Sequence, residues 1–361
     1  MTEDHGAWIL GSVPEPIGGV SVTIERLISS KEVPISGLID PYYAARKQQL
    51  SITHHYPRTR GQIAKFRVMS KIARVKTSPL FVNGSRPQSI LGVVPFLYGR
   101  TAPTILLLHH GNLESALPKF SIIRLAIRLA LRRFDAIFCL SESQVLFYSD
   151  QGIETRKLIL IDSYVKPSYS ITASQLSETA QIALDWAQSS EACVIVCSGY
   201  ADEIYRHDWL IQASRKSSII GSARLIVCCY GPKTAYLNFL EKEIALTPNA
   251  RLFFDLSPAE FDAVLGNADI YSRPTQVDSF GIATYDASAK GLIVVASDVC
   301  ERPSGAILHG VDDFNSYVDL LEQTCVMLSR KSIQKLQLLG KRSLRIPLGI
   351  ALNRYTKIDL V

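Results

Sequence analysis

The chain has 361 residues, 47% apolar and 20% charged, with a net charge of +6 and seven cysteines. That length suits two ordinary domains, each able to bury its own core, and the composition is globular rather than fibrous or disordered. Charge is unevenly placed: residues 41–134 carry 16 Lys and Arg against one acid, Glu114, so this segment is +15 and the remainder −9. Such an asymmetry implies an anionic partner for the first half. The cysteines (139, 193, 197, 228, 229, 300 and 325) sit mostly in apolar runs such as ACVIVCSG and RLIVCCYG, and none has Cys-x-x-Cys spacing. They read as small buried thiols in a reducing compartment rather than zinc ligands. No signal peptide and no apolar run of membrane-spanning length is recognised, so a soluble, cytoplasmic protein is expected.

In chain order, the first predicted strand is Ala7 to Leu10, followed by the loop Gly11-Ser12-Val13-Pro14-Glu15-Pro16-Ile17-Gly18-Gly19 and a helix from about Val20 to Ser29. Strand, glycine loop and helix form the opening of a doubly wound α/β domain. Apolar runs at Ile90 to Pro95, Thr104 to Leu108, Ala136 to Leu140 and Leu158 to Ile161 are read as further strands. His109 and His110 follow the second of these runs and precede Gly111-Asn112, where parallel sheets bind ligands. Two basic amphipathic stretches lie in this half. In RGQIAKFRVMSKIARV, a helical period puts Arg60, Arg67, Lys71 and Arg74 on one stripe, with Ile63, Phe66, Val68, Met69 and Ile72 around it. In PKFSIIRLAIRLALRRF, Arg124, Arg128 and Arg132 recur every fourth residue in an apolar surround. Such helices, near 60–75 and 118–133, suit an anionic membrane surface. A solvated face on a packed helix is the commoner use of the pattern, and nucleic acid lacks a recognition motif here.

Pro167 to Ser177 is polar and reads as a linker, giving domains 1–168 and 169–361. The second half alternates again. Strands are predicted at Cys193 to Cys197, Arg224 to Cys229, Arg251 to Phe254, Asp269 to Tyr271 and Leu292 to Ala296, with helices at about 207–217, 233–245, 258–266 and 282–289. Apolar strands without strict alternation suggest a parallel sheet covered on both faces. The tail from Ser343 to Val361 is expected to cross back onto the first domain.

The stretch RPTQVDSFGIATYDASAKGLIVVASDVCERPSG, from Arg273 to Gly305, is the most informative. A strand end runs into a polar loop with Asp278 and Ser279-Phe280-Gly281, then a small-residue helix with Asp286. Carboxylates accept but do not donate, which suits a ligand covered in hydroxyls. A helix that begins among Gly and Ser leaves backbone N–H groups for an anion.

This block resembles the nucleotide-sugar site of glycosyltransferase family 4, retaining enzymes of the GT-B fold, in its polysaccharide-building branch. The resemblance implies two Rossmann-like domains facing a cleft, with no catalytic metal, no cofactor and a nucleotide-sugar donor. It places Asp278 on donor sugar hydroxyls and Asp286 on the ribose. Both stand where Glu is common, so each reach is one methylene shorter. The backbone of Ser279, Phe280 and Gly281 would touch sugar or phosphate. PEPIGGVS resembles the family's N-terminal glycine loop, with Gly18 and Gly19 against the diphosphate. A histidine near the reacting bond would be His109 or His110. Tyr200 stands where a phosphate-binding Arg is usual; Arg206 is the nearest cation to the accompanying Lys, and Lys233 is a second candidate. The function implied is transfer of a sugar to a lipid-linked or polysaccharide acceptor in cell-surface glycan synthesis, peripheral at the inner face of the cell membrane. The rivals are a non-catalytic GT-B partner of another transferase and a sugar-nucleotide epimerase.

Overall fold

A computed structural model describes residues 6–14, 17–43, 50–110, 113–117, 121–169, 175–189, 191–329 and 346–356. Glu15 and Pro16 of the glycine loop, Gly111 and Asn112, Pro118 to Phe120, 170–174 of the linker, and residues 343–345 and 357–361 of the tail lie outside the described residues. Two compact units form, one from residues 1–168 with 343–361 and the other from 169–342.

The first unit contains β1 (Ala7–Leu10), α1 (Gly19–Ser30), β2 (Ile35–Ile39), β3 (Thr53–His55), α2 (Gln62–Met69), β4 (Leu80–Gly84), β5 (Thr104–Leu108), α3 (Leu113–Ala116), α4 (Ser121–Leu131), β6 (Ala136–Cys139), α5 (Glu142–Asp150) and β7 (Leu158–Asp162). The second contains α6 (Glu178–Gln188), β8 (Val194–Tyr200), α7 (His207–Lys216), α8 (Ser218–Gly221), β9 (Arg224–Tyr230), α9 (Ala235–Ala245), β10 (Ala250–Phe254), α10 (Pro258–Leu265), β11 (Ile270–Arg273), α11 (Ile282–Ala289), β12 (Ile293–Ser297), β13 (Ile307–His309) and α12 (Phe314–Ser329). The chain then adds β14 (Ile346–Pro347) and α13 (Leu348–Thr356) to the first unit.

The first sheet runs β14-β7-β6-β5-β4-β1-β2-β3 and the second β10-β9-β8-β11-β12-β13. Every strand pairing among the described residues is parallel. Parallel strands need crossover helices, and these cover both faces. Successive residues of one strand accordingly enter different cores. In β5, Leu106 and Leu108 join one apolar cluster while Ile105 and Leu107 join the other. In β9, Leu225, Val227 and Cys229 face one side and Ile226 and Cys228 the other. This architecture is the doubly wound α/β arrangement expected from the alternating pattern.

The run Ile90 to Pro95 is not a strand. Residues Pro87–Gly92 and Val94–Leu97 form short 3-10 helices, and Ile90 and Val93 are buried in the same cluster as Ile127 and Leu131 of α4. Proline at 87 and 95 removes ladder donors and suits helical first turns. The stripe expected over residues 60–75 is also broken. α2 ends at Met69, Ser70–Arg74 continues as a 3-10 helix, and the tighter winding changes which residues align. Val68, Met69 and Ile72 turn inward while Ile63 and Phe66 are exposed.

Candidate active site

Ligands of open parallel sheets bind beyond the carboxyl ends of the strands, so each unit's strand ends are the places to examine. In the second unit, β11 ends at Arg273, paired in register with Ala296 of β12. The loop after β11 returns through Asp278 to Gly281, the N-cap of α11, which adopts φ +68. That left-handed conformation suits glycine, and space demands glycine as well. A Cβ there would lie 2.4 Å from Arg302 Nη1 and 2.7 Å from Asp278 Oδ2. No side chain caps α11, so its first amides remain available for an acceptor.

Asp278 does not stand alone. Its Oδ2 accepts from Arg273 Nε at 3.1 Å and from Arg302 Nη1 at 2.9 Å. All three side chains are nearly buried, at 8% exposure for Arg273, 10% for Asp278 and 1% for Arg302. Burial by itself would raise the Asp278 carboxyl, but the Arg273 and Arg302 guanidiniums hold it below the usual carboxylate range. Burial likewise works against the Arg273 charge, and Asp278 together with Tyr271, Tyr205 and Tyr230 more than offsets it. Arg273 also donates through Nη1 to the Ser198 carbonyl at the end of β8 and lies 4.8 Å from the centroid of the Tyr205 ring. Arg302 Nε donates to the Ser297 carbonyl. Phe280 is buried and stacks on Tyr285 at 4.2 Å, fixing the turn between Asp278 and the helix. Asp286 is buried on α11, 4% exposed. The structure thus places Asp278, Ser279, Phe280 and Gly281 in the loop that leads into α11 and Asp286 on that helix.

The cations expected on the donor phosphates are placed differently. Arg206 takes φ +52 between a 3-10 turn and α7. Its guanidinium bonds the Val311 carbonyl and Asp312, and it stacks over Trp209 at 4.3 Å. Its planar fork is therefore already engaged on the β13 side of the sheet. Lys233 is exposed, 5.8 Å from the Phe254 ring centroid. Tyr200 packs against Tyr230 and Tyr205, with ring centroids 4.7 and 5.9 Å away.

In the first unit, Gly18 is the N-cap of α1 and Gly19 its first residue, and no side chain among the described residues caps them. His109 follows β5 and its Nε2 lies 2.8 Å from Asn83 Oδ1, at the end of β4. An amide oxygen only accepts, so that ring nitrogen carries the proton. Burial pushes the His109 imidazole down to about 4, which keeps it neutral at physiological pH. The His110 carbonyl accepts from Gln144 Nε2. Asn83 was not foreseen, because its strand was not recognised. It is nine-tenths buried, and its Nδ2 has no hydrogen-bond partner among the described residues.

Residues 185–317, which contain β8 to α11 and the Asp278 loop, match the family model "Glycosyl transferases group 1". Those residues form a glycosyl transferases group 1 domain. No curated protein sequence matches the chain. Among solved structures, Anabaena Alr3699/HepE in complex with UDP and glucose is 12% identical with a TM-score of 0.69, covering 91% of each chain. The same protein with UDP-glucose gives 12% and 0.68, again over 91% of each chain. A UDP-forming alpha,alpha-trehalose-phosphate synthase from Burkholderia xenovorans is 11% identical with a TM-score of 0.61, over 89% of this chain and 91% of that one. At such identities the likeness is one of fold: GT-B, with two Rossmann-like domains. With a group 1 domain on that scaffold, the chain is an enzyme of the glycosyl-transferring class.

Among the described residues no cluster of three or more His, Cys, Asp or Glu side chains could hold a metal ion.

Proposed function

We propose that the protein is a retaining glycosyltransferase. It takes a sugar from a nucleoside diphosphate and delivers it to a lipid-linked or polysaccharide acceptor at an anionic membrane surface. The observation that carries the donor half is the placement of Asp278 in the loop before α11 and of Asp286 within that helix, inside the group 1 match. Asp278 spends Oδ2 on two arginines, and its other oxygen remains to accept a sugar hydroxyl. Asp286 takes the ribose. The Ser279 to Gly281 backbone lies beside the sugar or phosphate. Within the first unit, the Gly18-Gly19 amides suit an anion, and His109, neutral and oriented by Asn83, suits a sugar hydroxyl. The solved relatives that bind UDP or UDP-glucose make uridine donors the first to test.

Support for the membrane half comes from exposed side chains. On α4, Ile122, Leu125 and Leu129 are 81%, 56% and 53% exposed, while Ile127, Ala130 and Leu131 are buried. The outward face of this helix therefore carries apolar residues beside Arg124 and Arg128, which are also exposed. Ile63 and Phe66 on α2 and the nearby Tyr98 are exposed as well. Interleaved aliphatic and basic groups on one surface suit a bilayer interface, where the aliphatic groups enter and the basic groups meet phosphate. No helix among the described residues is long and apolar enough to cross a membrane.

The test is turnover of a nucleotide-sugar panel by the wild type and by Asp286→Ala, with and without a membrane-lipid acceptor fraction. Wild-type release of nucleoside diphosphate with retention at the anomeric carbon, lost in Asp286→Ala, is the expected result. A wild type that turns over no nucleotide sugar with any fraction overturns the reading.

A further inference from the structure

Arg273 and Arg302 converge on a single acid and reach it through a single oxygen. Two buried guanidiniums and one carboxylate leave one net positive charge. An uncompensated buried charge is costly unless a counter-charge arrives. The uncapped N-terminus of α11 lies against the same group, since a Cβ on Gly281 would touch both Arg302 and Asp278, and a helix start adds further positive potential. Arg273 uses Nε for Asp278 and Nη1 for Ser198; no hydrogen bond from its Nη2 is recorded among the described residues. That atom is a fixed donor on a side chain that is nine-tenths buried.

The usual cation position after β8 is meanwhile filled by aromatic rings. Tyr200 and Tyr205 pack edge to face, and the Tyr205 ring covers the Arg273 guanidinium. Burial pushes the Tyr205 phenol up to about 12, so it stays neutral and contributes no charge of its own. Arg206, next in sequence, is held by Val311 and Asp312.

We infer that Arg273 binds the diphosphate of the sugar donor, with Arg302 as the positioning residue that holds Asp278 beside it and the α11 amides closing the site. The inference rests on the donor reading above and changes which residues perform it. The cation comes from the end of β11, positioned through Asp278 by Arg302 of the loop after β12, instead of from the loop after β8. Tyr205 serves as a platform beneath Arg273. A planar guanidinium suits this task better than an ammonium group, because it can hold Asp278 on one edge and phosphate oxygens on another.

The experiment is titration calorimetry of the full chain with UDP, GDP, ADP and dTDP, and with uridine, for the wild type, Arg273→Gln and Arg302→Gln. Each variant is expected to bind the preferred nucleoside diphosphate at least tenfold more weakly. Because a nucleoside has no phosphate, uridine affinity should change by less than twofold. Arg273→Lys and Arg302→Lys keep the pairing with Asp278 and decide the matter if a Gln variant does not fold. They should show a smaller loss, again confined to the diphosphate. Equal losses for uridine and UDP would mean that the arginines only hold the loop, and would overturn the inference. Wild-type affinity for UDP in the folded variants would overturn it while leaving the donor reading intact. A wild type that binds none of the four diphosphates would overturn the donor reading itself.

Discussion

Two glycines flank α11 and give a controlled test of how tightly the site is built. Gly281 precedes the helix at φ +68 and Gly291 follows it at φ +83. An alanine at either position meets the left-handed penalty, about 1–2 kcal/mol. At Gly291 nothing lies within 4 Å of the added Cβ, so the backbone term is the whole cost. At Gly281 the Cβ would stand 2.4 Å from Arg302 Nη1 and 2.7 Å from Asp278 Oδ2. The Arg302–Asp278 contact must open, and losing one partner of a buried pair costs about 3–5 kcal/mol. Even half of that makes Gly281→Ala about 2 kcal/mol worse than Gly291→Ala. For a unit of this size each kcal/mol moves Tm by roughly 2–4 °C. Melting curves should therefore place Gly281→Ala about 4–8 °C below Gly291→Ala. Calorimetry should show weakened UDP binding only in Gly281→Ala. Equal melting shifts with equal UDP affinity would refute the crowded geometry around Asp278, and with it the reasoning built on that cluster.

Acid should weaken the second unit through His207. It is buried, its Nε2 lies 3.1 Å from the Tyr200 carbonyl and its ring stacks on Tyr205; burial lowers it to about 4. Its folded value lies below the unfolded value of about 6.5, so the unfolded chain binds the proton first and stability drops as pH falls from 6.5 towards 4. The loss should reach about 3 kcal/mol, read from urea midpoints against pH; a His207→Gln variant with the same acid slope would contradict it. For the membrane surface, Ile122→Ser with Leu125→Ser and Leu129→Ser should reduce sedimentation with anionic vesicles severalfold without lowering Tm. Wild-type binding to neutral and anionic vesicles alike, or to neither, would sink the charged-surface argument.

The second unit was the more legible half of the sequence, for a physical reason. Its central strands are buried on both faces, so they appear as unbroken apolar runs such as VIVC and LIVCC between turn residues. In the first unit β2 reads ISGLI, β3 is THH and β4 ends in Asn-Gly. Such short or polar segments carry little strand signal. The one apolar run wrongly read as a strand, Ile90 to Pro95, is buried in 3-10 turns, where burial depends on contact with α4 and not on period. In the site, the loop-to-helix placement of Asp278 and Asp286 was visible from Gly and small-residue spacing. The meeting of Arg273, Asp278 and Arg302 was not, although all three lie within 30 residues of sequence, from 273 to 302. It depends on β11 pairing with β12 and on the turn at Gly281. Arg206 was weighed as a phosphate cation for its place in the chain, and its engagement with Asp312 spans 106 residues.

The return of the chain through β14 and α13 bears on how the protein is made. Leu348, Ala351 and Leu352 complete the cluster that holds Ile161 and Val165, and Ile346 pairs with Ile161. The second unit is thus inserted in sequence within the first, and β7 is an edge strand until β14 leaves the ribosome. A growing chain carries that open edge through synthesis of the whole second unit, a period in which unpaired strands recruit other chains. Loss of the final helix should therefore appear first as poor yield from synthesis, ahead of any defect in donor binding.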